Sequence, residues 1–190
     1  MNDQPPTADD KLPVDTTGWN PEGTSRWRNP RGGELQIATS PVDSVEMPKV
    51  DSFRDLTRRE LLSRGGGLVS ADLSTKDVGV VVAKFPQQPS GMTYEGVLVF
   101  VRKRTQYRVT VRFPETNITG LRDAVLFDTH MKNAPADGDP FEGWASDPYD
   151  PKRRDPLMRN KADDEQHDSK FPDHPLTLVR AELSRLQRSL

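Results

Sequence analysis

Aliphatic side chains concentrate between Leu35 and Met131, and their spacing changes character along that stretch. Val78 to Phe85 and Tyr94 to Arg102 are valine-rich with apolar residues at odd and even positions alike, the pattern of strands covered on both faces. Tyr107, Val109, Val111 and Phe113 alternate with Gln106, Arg108, Thr110 and Arg112, which predicts a strand with one wet face. Lys103-Arg104 is a connection short enough to make the last two runs a hairpin, and Pro86 to Gly91 is a looser link. Leu35-Gln36-Ile37-Ala38 predicts a short first strand and Leu68 to Leu73 another.

Helical spacing appears three times. Phe53, Leu56, Glu60 and Leu61 follow Ser52, which reads as an N-cap with Asp55 completing a shortened capping box. Gly65-Gly66-Gly67 stops that helix, since glycine tolerates the positive φ of a helix end. Thr119-Gly120-Leu121 opens a second helix reaching about Met131, with Leu121, Ala124, Val125 and Phe127 as its expected buried side. Pro175 suits the first position of a third, whose Leu176, Val179, Leu183, Leu186 and Leu190 form one apolar stripe. The order predicts an α+β fold, an antiparallel sheet of about four to six strands with helices packed on it.

Composition sets the boundaries. Hydrophobic residues make up 33% of the 190, below the about 45–50% of an ordinary globular chain, and there are 17 prolines. The deficit lies in the flanks. Residues 1–33 read as an extended lead-in, 34–131 as the α+β domain, 132–174 as an irregular proline- and aspartate-rich segment and 175–190 as a C-terminal helix in need of a partner surface. With 27 basic and 29 acidic residues the chain has no global field for nucleic acid or an anionic membrane. It has no cysteine, which removes disulfides, thiolate metal sites and cysteine nucleophiles. No apolar run approaches the roughly 20 residues that span a bilayer, and the start lacks a signal-peptide pattern. A cytoplasmic protein is expected.

Candidate chemistry is sparse. The glycine run follows a helix instead of opening one and lacks the lysine-serine pair of a phosphate loop. Asp163, Asp164, Glu165, His167, Asp168, Asp173 and His174 are metal-compatible donors without a recognised ligand spacing, and read better as a solvated linker with Asp173 or His174 capping the last helix. No serine sits in a nucleophile elbow, and no catalytic residue or cofactor is expected. Arg102, Lys103, Arg104, Arg108 and Arg112 place five positive charges on the hairpin, a candidate nucleic-acid face that the acidic balance disfavours. Aromatics in polar segments anchor the segment to its own core or to a partner. On the second reading Phe141, Trp144 and Tyr149, with Leu183 and Leu186 of the helix stripe, form a partner-binding surface.

The string Met92-Thr93-Tyr94-Glu95-Gly96-Val97-Leu98-Val99, the alternating strand to Val111-Arg112-Phe113-Pro114-Glu115, and Thr119-Gly120-Leu121-Arg122-Asp123-Ala124-Val125 resemble the PsbP-like α/β/α sandwich domains across residues 34–131. The resemblance implies an antiparallel sheet, a hairpin and a helix entered through the Thr-Gly turn. It also implies a binding or accessory role, and it carries over no catalytic residue. The expected function is therefore a non-enzymatic protein-binding module: an adaptor, an immunity protein or a secretion-system accessory protein. Homo-oligomerisation stays open, and nucleic-acid binding through residues 102–112 is the alternative.

Overall fold

The computed structural model describes residues 12, 14–43, 48–74, 77–135 and 138–190. Among these residues seven strands form one antiparallel sheet: β1 (Asn20–Pro21), β2 (Arg26–Arg28), β3 (Glu34–Pro41), β4 (Gly67–Leu73), β5 (Gly79–Pro86), β6 (Met92–Arg102) and β7 (Thr105–Pro114), in the spatial order β1-β2-β3-β7-β6-β5-β4. The helices are α1 (Val50–Ser63), α2 (Leu121–Lys132) and α3 (Pro175–Arg188), with two 3₁₀ segments, Lys161–Asp163 and Glu165–Lys170, between the last two. The α+β class is as expected. The strand count exceeds the expected range because β1 and β2 come from the segment read as a lead-in. They are two and three residues long, too short for alternation to register. Trp19 and Trp27 hold them down, both buried, with the Trp19 ring 6.0 Å from that of Phe113.

Each sheet face has its own core. Leu35, Leu98, Val109 and Val111 meet Leu176, Val179, Leu183 and Leu186 of α3 on one side. Phe53 and Leu61 of α1 cover Leu68, Ala71, Val81, Ala83 and Val97 on the other. Leu183 and Leu186 are thus core residues, and the stripe of α3 finds its partner in the chain's own sheet. That helix begins as expected, with Pro175 in its first turn and His174 Nδ1 accepting the Leu176 N–H at 3.2 Å.

Local chemistry explains the other ends. The Gly66 N–H reaches the Leu61 carbonyl (2.8 Å) and the Gly65 N–H the Leu62 carbonyl (3.1 Å), with Gly65 at φ +73°, so the glycine run closes α1 as a Schellman motif. The start of α1 differs from expectation: it begins at Val50, Lys49 precedes it, and no side chain caps it. Ser52 lies inside the first turn. Asp51 supplies the favourable negative charge there instead, 3.5 Å from Arg54. Lys103 and Arg104 form the two-residue hairpin turn, both at positive φ (49° and 62°).

The seat of α3 is Gly96 on β6. A Cβ there would lie 2.7 Å from Val179 Cγ1 and 2.8 Å from Leu183 Cδ1. Gly96→Val is expected to lift α3 from the sheet and lower stability by about 1–3 kcal/mol or more in urea unfolding; an unchanged midpoint would contradict this packing.

Candidate docking surface

Arg122 decides how α2 lies. Its side chain is 1% exposed. Nε donates to the Ala162 carbonyl (2.6 Å), Nη2 to the Asp164 carbonyl (2.9 Å), and Nη1 to Thr177 Oγ1 (3.1 Å), with Asp168 Oδ1 2.9 Å away. One residue on, Asp123 accepts from Asn160 Nδ2 (2.8 Å). Burial and the neighbouring Asp163 push the Asp123 carboxyl above the ordinary carboxylate range. Asn160 in turn forms a capping box with Asp163, and Asp163 takes the buried Lys84 ammonium of β5 at 2.6 Å. These contacts tie α2 to the segment around residues 160–168, its main neighbour, and that segment to the sheet.

With Arg122 and Leu126 inward, helical geometry turns Leu121, Val125 and Met131 outward. Leu121 is 49% exposed, Val125 46% and Met131 42%, while Ile118 just before the helix is 72% exposed. Ala124 is exposed too, and Phe127 half-buried. The expected buried side, Leu121, Ala124, Val125 and Phe127, is therefore largely the solvent side. A desolvated guanidinium needs its donors satisfied, and the carbonyls of 162–164 satisfy them only from beneath the helix.

The entry to α2 is fixed by Glu115, whose carboxylate accepts the N–H groups of Met92 (2.9 Å) and Gly120 (3.1 Å). Burial opposes its ionisation, but these bonds and His174, 3.3 Å away, hold its carboxyl below the usual range. Beside this entry a cleft of about 280 Å³ opens between α2 and α3, lined by the apolar Phe113, Ile118, Leu121, Phe171, Pro175 and Leu178 and by the polar Arg31, Glu115, Arg122, Asp173 and His174. It runs directly onto the apolar face of α2. Charges around the face are paired within the chain: Asp128 with Lys132 (2.5 Å) and Arg31 with Asp173 (3.9 Å).

Two of the expected partner-binding aromatics join this surface. Phe141, 64% exposed, stacks on Phe127 (5.2 Å between ring centres), and Trp144 meets Phe127 edge-on at 4.9 Å. Tyr149 lies elsewhere. Its hydroxyl donates to Asp72 (2.7 Å) and accepts the Ala71 N–H (2.8 Å), while Arg54 Nε donates to the Ala71 carbonyl (3.0 Å). Together they block the outer edge of β4 against further strand pairing. Burial and the Asp72 carboxylate push the Tyr149 hydroxyl up to about 12.

The basic hairpin is not one open patch. Arg108 pairs with Glu60 (2.6 Å), Arg112 with Glu95 (2.7 Å), and Arg102 donates to the Leu190 carbonyl (3.2 Å), which leaves Lys103 and Arg104 at the tip. The acids and histidines of 163–174 face basic partners or helix ends: Asp168 takes Arg180 (3.0 Å) as well as Arg122, and Asp164 takes Arg159. Burial, then Arg122 and Lys170, push the His167 imidazole below its usual range. Among the described residues no three histidines or acids converge as a metal site, and no helix is long and apolar enough to cross a membrane. No protein-family model matches the chain, and no curated protein does either.

Arg58 and Asp147 form a second buried pair, with two bonds of 2.9 and 2.6 Å that tie the 145–150 loop to α1. Burial opposes ionisation of Asp147, but Arg58 and the N–H groups of Tyr149 and Asp150 hold its carboxyl below the ordinary range. A carboxyl lowered on folding contributes stability above its unfolded value of about 3.9, lost as pH falls through the folded value. Asp147→Ala removes two bonds from the buried Arg58 guanidinium, which keeps the exposed Asp55 at 3.1 Å, and is expected to cost about 3 kcal/mol at neutral pH and to flatten the fall in stability on acidification. Urea titrations across pH check both; a variant as stable as the parent would contradict the pairing.

Proposed function

We propose that this protein is a protein-binding module that engages its partner through the outward face of α2, with the adjoining cleft receiving one apolar side chain. The observation that carries the reading is the unusual amphipathicity of α2: Arg122 lies inside with Leu126, while Leu121, Val125 and Met131 lie outside among Asp128, Thr129 and Lys132. Burying a leucine or valine stabilises a fold by about 1.5–3 kcal/mol, so a chain poor in such residues gains nothing for its own fold by exposing them together. Exposed apolar side chains beside a cleft and an exposed aromatic have the composition of a binding hot spot. Because Asp128 and Lys132 on this face pair with each other, the surface suits a largely apolar patch on another protein. An adaptor, immunity or secretion-system accessory protein of the cytoplasm acts through a surface of this kind. Nucleic-acid binding through residues 102–112 has less support, since Arg108 and Arg112 are held by glutamates.

Replacing Leu121 and Val125 together by Asp is the direct test. A photo-crosslinker at Val125 captures the partner in the native host, and the purified partner is then titrated against parent and variant. The variant is expected to bind at least about tenfold more weakly, a loss of ~1.4 kcal/mol, with its melting temperature unchanged. Unaltered affinity, or a large fall in melting temperature, would contradict the proposal. Sedimentation of the parent distinguishes a second copy of the chain from a different partner.

A further inference from the structure

The segment that brings Phe141 and Trp144 to α2 is two turns in succession. The Glu142 N–H meets the Asp139 carbonyl (3.0 Å) and the Trp144 N–H the Phe141 carbonyl (3.0 Å), while Asp139 Oδ1 accepts the Phe141 N–H (2.9 Å). Pro140 suits the second position of the first turn, and Gly143, at φ +66°, supplies the left-handed residue of the second. The Lys161 N–H on the Trp144 carbonyl (2.9 Å) ties both turns to the segment that Arg122 grips. Phe141 and Trp144 stand three residues apart, and both rings rest on Phe127.

Trp144 is half-buried, with His130 behind its ring at 5.5 Å between centres. Its indole N–H makes no hydrogen bond among the described residues, and it reaches solvent. Two exposed acids, Asp139 and Glu142, flank Phe141 in the chain, and neither pairs with a cation among the described residues. Of the nearby cations, Lys132 is held by Asp128 (2.5 Å), and Lys161 lies on His130 Nδ1 (3.1 Å). Two unpaired carboxylates therefore stand against one ammonium without an acid. The surface combines stacking rings, one free N–H donor and a small negative excess.

Rings beside a lone donor select a segment that has flat apolar groups and carbonyls without partners. Polyproline II has both: proline presents a pyrrolidine ring, and a helix with no internal hydrogen bonds leaves its carbonyls free. An amphipathic α-helix uses its carbonyls internally and has few to give an indole. We propose that Phe127, Phe141 and Trp144 bind an extended, proline-rich segment carrying a basic residue. Its prolines pack on the rings, one carbonyl accepts the Trp144 N–H, and the basic side chain lies at Asp139 and Glu142. The proposal rests on the reading of α2 as a docking face, and names the segment that the partner lays beside it.

Nitrogen-15 NMR of the full chain with a synthetic nonapeptide, three Pro-Pro-Leu repeats with arginine in place of the last leucine, tests it. The chain has three tryptophans and so three indole N–H signals. At about 1 mM peptide the Trp144 signal is expected to move downfield, while those of the buried Trp19 and Trp27 stay. Affinities are read from the backbone shifts of Phe141 and Gly143. Trp144→Phe keeps a ring and loses the donor, and is expected to weaken binding about threefold to tenfold. Asp139→Asn with Glu142→Gln is expected to weaken the arginine peptide about twofold to fivefold and to leave an all-leucine form unchanged. Alanine in place of every proline is expected to weaken binding at least about tenfold. The Leu121 and Val125 double variant is expected to bind the peptide like the parent, so a failed peptide and a failed α2 surface are separate results. An unmoved Trp144 signal, equal binding of the alanine peptide, an unaffected Trp144→Phe variant, or shifts confined to Leu121 and Val125 would each overturn the proposal.

Discussion

The buried guanidinium of Arg122 is the constraint on which the rest of the surface depends. It is held by the carbonyls of Ala162 and Asp164, by Thr177 at the start of α3 and by Asp168 between them. One side chain thus joins α2, the 3₁₀ segments and α3. A guanidinium removed from water is tolerated only when its donors are satisfied, so these partners cannot drift independently. The orientation of α2 follows, and with it the apolar face turned to solvent.

Arg122 belongs to a broader pattern. Lys84 with Asp163 and Arg58 with Asp147 are buried pairs, and Glu95, itself buried, is held between the partly exposed Arg64 and Arg112. The pairs of Asp163 and Asp147 fasten irregular stretches that have few aliphatic residues of their own. A chain with 33% hydrophobic residues folds by placing its aliphatics in two sheet cores and tying loops with ion pairs. Such pairs add little net stability over an apolar contact, yet losing either member leaves a buried charge. They therefore fix geometry more strongly than they raise stability.

The legible parts of this fold were those where one face meets one environment. The strand at Tyr107 to Phe113 alternates because α3 and the core cover one side while Arg108 and Arg112 reach glutamates on the other. The stripe of α3 was equally plain, though not which surface would receive it. Hydropathy misreads α2, because a helix whose buried face is an arginine in a carbonyl cage looks like one whose apolar face is buried. The Arg122 partners lie about 40 or more residues downstream, beyond any local pattern. Phe141 and Trp144 stood out as aromatics in a polar stretch and both pack on Phe127, whereas Tyr149, of the same stretch, guards a strand edge that no local signal announces.

The orientation of α2 is the claim on which the docking surface stands, and carbene footprinting of the full chain, read residue by residue, tests it most directly. Leu121, Val125 and Met131 are expected to label heavily and Leu126 to stay protected, with Leu126 gaining label when Arg122→Met opens the cage. Heavy labelling of Leu126 with protection of Leu121 and Val125 in the monomeric parent would mean that α2 packs by its apolar side, and would contradict the account.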